Sequence, residues 1–198
     1  MNFFFVRRSA DSAMPVRLAR AGRTRDNSVM DVIVIRHGIA LDATTAHGMG
    51  LSDAERPLTA AGERATRAAA IGLRQLLSDM PVDDILTSPL LRARQTAAII
   101  APYLDDAPID QADVLAPPVD VSALDDWLHT HFGERRVVLV GHEPDLAAWT
   151  SWSLTRKRDR LLSFSRAGAA LLEFPGAPEG GTGSLRWLLT GTQLQQLA

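Results

Sequence analysis

Four side chains in this sequence suit the binding and transfer of a phosphoryl group, and each lies just after an apolar run. They are Arg36, His37, Arg92 and His142. A guanidinium stays ionised and matches phosphoryl oxygens in bidentate geometry, so Arg36 and Arg92 are candidate phosphate ligands. Neutral imidazole is a good nucleophile near neutral pH, so His37 can attack phosphorus and carry the group. His142 can donate a hydrogen bond to the phosphoryl oxygens.

The elements that must position these residues alternate between strands and helices. Short β-branched runs predict buried strands at 32–35, 82–87 and 136–140, and apolar spacing predicts helices at 59–78, 89–103, 121–132 and 144–154. Parallel strands need helical crossovers, which predicts an α/β fold: a three-layer α/β/α sandwich with a mainly parallel central sheet and helices on both faces. A C-terminal antiparallel hairpin is expected at 167–174 and 185–190. Ligands bind beyond the carboxyl ends of such strands, so the four residues are expected to converge.

The order of these motifs resembles the signature of the histidine phosphatase superfamily, which has a phosphoglycerate mutase-like fold. Arg36-His37-Gly38 is similar to its Arg-His-Gly, and residues 88–97 are similar to its Ser-Pro-Leu-x-Arg-Ala-x-x-Thr-Ala. Gly141-His142 resembles its second histidine motif. The Arg-Pro-Leu-Thr at 56–59 and the short chain resemble the SixA-like phosphohistidine phosphatases in particular. The resemblance covers about residues 31 to 192.

The resemblance implies a phosphohydrolase with a covalent phosphohistidine intermediate on His37, acting on phosphohistidine proteins or small phosphoesters. Arg36, Arg92 and His142 take their roles from the same motifs, with no cofactor and no metal. Arg56 is either a further substrate ligand or a helix-entry residue paired with Asp53 or Glu55. The implied partner is a phosphorylated protein, such as a histidine phosphotransfer domain, or a small phosphorylated metabolite. A non-catalytic phosphate-binding regulatory module and a phosphomutase remain alternatives.

The sequence departs from the family pattern in its general acid. Many members carry an acidic residue just after Arg-His-Gly, where this chain has Ile39. The remaining candidate acids are Asp42, Asp53, Glu55 and Glu143. A phosphohistidine substrate would lessen the need for an acid, because its imidazole leaves more readily than an alkoxide. Ser88 is expected to cap the helix that follows it.

The composition sets the outer limits. The 198 residues suit one domain, assigned to 30–198. Six arginines against two aspartates mark residues 1–29 as a disordered basic extension, or as a segment upstream of a true start at Met30. A net charge of −2 gives no global attraction to nucleic acid or membrane, and the absence of cysteine fits a cytoplasmic protein. The basic run at 156–160 is interpreted as a solvated loop, with contact to a phosphorylated protein or nucleic acid as the alternative.

Overall fold

The computed structural model describes residues 29–78, 80–132 and 135–198, and the backbone of Arg7 and Arg8. Its strands are β1 Arg7–Arg8, β2 Met30–Arg36, β3 Asp84–Thr87, β4 Ile109–Gln111, β5 Arg136–Gly141, β6 Ala169–Phe174 and β7 Ser184–Leu189. They form one sheet in the order β1-β4-β3-β5-β2-β6-β7. The strands from β1 to β2 in this order are parallel. Strand β6 runs antiparallel to β2 and to β7.

The central strand β2 shows why the sheet must be covered on both faces. Its alternate residues enter different cores: Ile33 and Ile35 pack in one cluster, and Val32 and Val34 in the other. All four are at most 3% exposed. A strand that is apolar on both faces can be buried only between two layers, which is what the continuous run of β-branched residues predicted.

The helices supply those two layers. Their bounds are α1 Ala43–Gly48, α2 Ala60–Leu76, α3 Leu91–Ile100, α4 Val121–Phe132, α5 Asp145–Thr155 and α6 Gly191–Gln196. Side chains of α2, α3 and α6 join the core on one face, and side chains of α4 and α5 join the core on the other. The predicted α/β architecture with a mainly parallel sheet and a terminal hairpin is confirmed.

Several short elements were not predicted. Helix α1, strand β4 and helix α6 each span six residues or fewer, which is too short for a periodic apolar pattern. The predicted helix at 89–103 instead begins at Leu91 and ends as α-helix at Ile100, and a 3-10 turn over Ala101–Tyr103 completes it. Of the extension expected to be disordered, 1–29, only Arg7, Arg8 and Val29 are among the described residues; Arg7 and Arg8 form a short strand paired with β4, so the expectation is wrong for these two.

No helix within the described ranges has the length and apolar character needed to cross a bilayer.

Candidate active site

The carboxyl ends of β2, β5 and β3 lie side by side and carry the first layer of the site. The His37 N–H donates to Gly141 O at 3.1 Å, and the Ser88 N–H donates to Val140 O at 2.9 Å. His37 and His142 therefore face each other, with ring centroids 5.0 Å apart and 54° between the ring planes. Their exposed fractions are 6% and 4%. The backbone register of the parallel strands brings together two histidines separated by 105 positions.

The tautomer of His37 follows from one hydrogen bond, and its charge from its burial. Nδ1 lies 2.7 Å from Gly38 O, and because a carbonyl can only accept, Nδ1 must carry the proton. Burial lowers the pKa of His37 to about 3; the bond to Gly38 opposes this, and the charges of His142, Arg92 and Arg166 add to it. His37 is thus neutral at pH 7, with the lone pair of an unprotonated Nε2 available for attack on an electrophile.

His142 is held from the opposite side. Its Nε2 lies 2.8 Å from Ser88 Oγ, while its Nδ1 is buried and has no hydrogen-bond partner among the described residues. Burial lowers the pKa of His142 to about 4, and the positive charge of Arg92 contributes. Ser88 Oγ also accepts from Leu90 N at 3.4 Å, but Leu90 is itself the N-cap of α3 and no side chain caps that helix. The expected capping role of Ser88 is therefore wrong, because the helix begins later along the chain than predicted. The shorter contact to His142 gives Ser88 an orienting role that the sequence did not reveal.

The Arg36 guanidinium is only partly hydrogen-bonded within the described residues. Its Nη1 donates to Phe164 O at 2.6 Å, whereas its Nε is buried without a partner in the described part of the chain. Buried polar atoms are nearly always hydrogen-bonded. Two unpartnered nitrogens, Arg36 Nε and His142 Nδ1, belong to residues of the same site. This is the pattern expected of a site that binds a ligand rich in acceptors.

Arg92 lies in the first turn of α3 and is tied to the His37 loop through Thr96. The Gly38 N–H donates to Thr96 Oγ1 at 3.0 Å, and Thr96 Oγ1 donates to Arg92 O at 2.7 Å. Helix α2 also lies close to this loop: a Cβ at position 38 would lie 2.2 Å from Thr66 Oγ1, so the position requires a glycine. The strand end and the helix therefore form one rigid support.

Asp53 links two arginines across the mouth of the site. Arg92 donates from Nη1 to Asp53 O at 2.6 Å and from Nη2 to Asp53 Oδ2 at 3.0 Å, and Arg56 Nη1 donates to Asp53 Oδ1 at 2.7 Å. Burial alone would raise the pKa of Asp53, but the hydrogen bonds from Arg56 and Arg92 outweigh it, and the pKa is lowered. Arg56 thus makes the ion pair with Asp53 that the sequence allowed, beside Arg92.

The other candidate acids already have backbone partners. Asp42 caps α1 by accepting from Thr45 N, and Glu55 accepts from Ser52 N. Glu143 accepts from Phe164 N at 2.6 Å and so steadies the carbonyl that holds Arg36.

Arg166 is a residue of this site that sequence reasoning missed. It lies directly before Ala167, whose N–H donates to Arg36 O at 3.2 Å. Burial lowers the pKa of both Arg36 and His37, and the charge of Arg166 lowers both further. The sequence predicted the hairpin at 167–174 and 185–190 but not its pairing with the first strand, so it gave no signal for Arg166; the antiparallel pairing of β6 with β2 places Arg166 at the end of β2.

Across the described residues, no group of three or more histidine, aspartate or glutamate side chains is placed to hold a metal ion. The site consists of two neutral imidazoles among four guanidinium groups, which favours binding of a phosphoryl group.

Comparison with known proteins agrees with this geometry. The model of the histidine phosphatase superfamily (branch 1) matches residues 19–116. The chain belongs to the histidine phosphatase superfamily. An uncharacterised protein of Picosynechococcus sp. is 38% identical over 142 residues, which are 70% of this chain and 82% of that protein.

Solved structures of the superfamily share the fold. The protein histidine phosphatase SixA complexed with tungstate superposes with a TM-score of 0.68 at 25% identity, covering 83% of this chain and 99% of that one. A phosphoglycerate mutase from Plasmodium falciparum gives 0.59 at 18% identity over 81% and 91% of the chains. A phosphoserine phosphatase from Entamoeba histolytica gives 0.56 at 16% identity over 83% and 99%. The structures that share the fold of this histidine phosphatase superfamily member thus include a protein histidine phosphatase, a phosphoglycerate mutase and a phosphoserine phosphatase.

Proposed function

We propose that residues 30–198 form one catalytic domain that hydrolyses phosphohistidine or small phosphoesters through a phosphohistidine intermediate on His37, without a metal. The observation that carries this proposal is the bond from His37 Nδ1 to Gly38 O, at 2.7 Å. It fixes the tautomer in which Nε2 is the nucleophile, and the low pKa of His37, about 3, keeps that nitrogen unprotonated. An activated nucleophile inside a cationic pocket has the elements that covalent phosphoryl transfer requires.

In the first step, His37 Nε2 forms a bond to phosphorus as the bond from phosphorus to the leaving group breaks. Arg36, through its unpartnered Nε, and Arg92 hold the phosphoryl oxygens while negative charge develops on them. We infer that the Ser88 hydroxyl donates to His142 Nε2, 2.8 Å away, in the tautomer whose Nδ1 carries the proton and donates to a phosphoryl oxygen. Arg56, which is ion-paired with the same Asp53 as Arg92, adds to the positive charge of the site.

In the second step, water attacks phosphorus, the Nε2–P bond breaks and orthophosphate leaves. The acid that protonates the first leaving group is solvent, because Asp42, Glu55 and Glu143 have structural partners and Asp53 is ion-paired with a lowered pKa. That arrangement favours a leaving group that departs without a strong acid. A phosphohistidine protein, such as a histidine phosphotransfer domain, fits better than an alkyl phosphoester.

The test is turnover of a phosphohistidine peptide and of p-nitrophenyl phosphate in the presence of EDTA. We expect the wild type to release phosphate from both, faster from the peptide, and to form an acid-labile, alkali-stable phosphoenzyme. His37→Ala should abolish both signals, and His129→Ala, a change of an exposed histidine on α4, should preserve them. Full activity of His37→Ala, or no turnover by the wild type, would refute the mechanism.

A binding measurement separates a catalyst from a phosphate-binding regulatory module. Tungstate, which is bound in the SixA structure, should inhibit turnover competitively here and should bind less tightly to Arg92→Lys. Tight tungstate binding with no turnover of either substrate would favour the regulatory module.

A further inference from the structure

The connection between α5 and β6 brings one more cation to the phosphoryl pocket. Its last turn is fastened to the strand that carries the nucleophile: the Arg36 N–H donates to Gly168 O at 3.1 Å, and the Ala167 N–H lies 3.2 Å from Arg36 O and 3.4 Å from His37 O. Arg166 precedes this anchored pair. Its backbone is therefore fixed beside Arg36 and His37.

The turn itself is held rigidly. The Gly168 N–H donates to Ser165 O at 2.9 Å, and the Gly191 N–H donates to Ser165 Oγ at 2.9 Å. Ala167 adopts a left-handed conformation with φ of 55° and is 5% exposed. Arg166 thus lies between two fixed residues, on a support that does not have to be ordered when a ligand binds.

The side chain of Arg166 is exposed and, within the described ranges, makes no hydrogen bond or ion pair. The other arginines of the site are all engaged: Arg36 with Phe164 O, Arg56 with Leu41 O and Asp53, and Arg92 with Asp53. The Arg166 guanidinium is the one whose donors are all available to a ligand.

The charges around Arg166 leave it without compensation. Partial burial lowers its pKa, and the like charges of Arg56 and Arg92 lower it further. Asp53 is shared by Arg56 and Arg92, and Glu143 is bonded to Phe164 N. An anion that approaches Arg166 therefore relieves a repulsion already present in the free protein. The phosphoryl group itself is bound deeper, by Arg36, Arg92 and His142, under the proposed function.

We propose that Arg166 binds a second anionic group of the substrate, carried close to the phosphoryl group that His37 accepts. This inference rests on the proposed function and adds a substrate class to it. The second group is a carboxylate or phosphate, either an acidic side chain beside the phosphorylated residue of a protein or the second charge of a small metabolite. Arg166 is a specificity-determining residue, since the reacting atoms are handled by other side chains.

The test compares matched pairs of non-hydrolysable ligands by calorimetry on the wild-type protein. One pair is a peptide with a triazolylphosphonate analogue of phosphohistidine, flanked by glutamate or by glutamine. The other pair is 3-phosphonopropionate and propylphosphonate, which differ by one carboxylate. We expect the acidic member of a pair to bind about two- to fivefold more tightly, the range of a partly exposed ion pair. Preference in the peptide pair alone indicates a protein substrate, and preference in the small pair alone indicates a metabolite.

Variants show whether the preference belongs to Arg166. Arg166→Ala should remove it, and Arg166→Lys should retain most of it. Arg160→Ala, which removes the same charge from an exposed position in the same connection, should leave the preference intact. A wild type without preference, a preference that survives in Arg166→Ala, or an equal loss in Arg160→Ala overturns the subsite. Failure of the proposed function is distinct, since it appears as absent turnover of the phosphohistidine peptide.

Discussion

Acidification from pH 7 to pH 5 should destabilise this protein through its two buried site histidines. The pKa of His37 is lowered to about 3 and that of His142 to about 4, both from an ordinary value of 6.5. Below pH 6.5 the unfolded chain therefore binds two protons that the folded protein does not. Stability is fully present above pH 6.5 and is lost as the pH falls, until His142 titrates near 4 and His37 near 3.

The magnitude follows from the size of this mismatch. At pH 5 the medium is about 1.5 units below the ordinary histidine pKa of 6.5 and still above both folded values, and each unit corresponds to about 1.4 kcal/mol. Each histidine should therefore lower the free energy of unfolding at pH 5 by about 2 kcal/mol, and the pair by about 4 kcal/mol. No discount for solvent is needed, because both rings are at most 6% exposed. For a domain of ordinary stability, about 5–15 kcal/mol, this is a large fraction.

The assay is urea unfolding at pH 7 and pH 5, for the wild type, His37→Gln, His142→Gln and the double variant. The quantity compared is the loss of unfolding free energy between the two pH values, so a uniform cost of either substitution cancels. The wild type should lose about 4 kcal/mol more than the double variant, with each single variant about halfway. His129→Gln, at an exposed position, should behave as the wild type. Equal losses in wild type and double variant would show that the histidines are not buried as neutral groups.

Three substitutions test the supports of the site. Arg92→Lys keeps the positive charge but loses the planar guanidinium, which donates to Asp53 from Nη1 and Nη2. We expect kcat/KM to fall about 10- to 100-fold, the value of one charge-assisted hydrogen bond. A change under threefold would remove Arg92 from the site. Gly38→Ala places a Cβ 2.2 Å from Thr66 Oγ1 and should lower the free energy of unfolding in urea by about 1–3 kcal/mol. Adding Thr66→Ala removes the clashing hydroxyl and should recover part of that loss. If the losses of the two substitutions are simply additive, the clash is contradicted. Thr96→Val preserves the shape of the side chain but leaves the buried Gly38 N–H without an acceptor. It should lower the free energy of unfolding by about 1–3 kcal/mol and lower kcat, whereas Thr96→Ser, which keeps the hydroxyl, should have a small effect on both. Equal effects of the two substitutions would show that the hydroxyl is not required.

Much of the fold could be read from local patterns. The run from Val32 to Ile35 is apolar at every position, and this identifies a strand buried on both faces without knowledge of its neighbours. Thr59 caps α2 as its residue type suggested, accepting from Gly62 N at 2.9 Å. Elements such as β4 and α6 escaped because three to six residues show no period, and their conformation depends on the sheet edge or helix they pack against.

The same division holds in the candidate site. The sequence alone predicts which residue types follow the ends of the buried strands, and a parallel sheet binds its ligands at the carboxyl ends of its strands. Arg36, His37, Arg92 and His142 could be named for that reason. The contact of Ser88 with His142 and the bridge of Thr96 to Gly38 needed the tertiary structure, because each joins segments that are far apart along the chain. The tautomer of His37 also needed it, because the ring orientation that brings Nδ1 to Gly38 O is not given by the sequence. Arg166 was decided the same way: only the antiparallel pairing of β6 with β2 sets it beside the nucleophile.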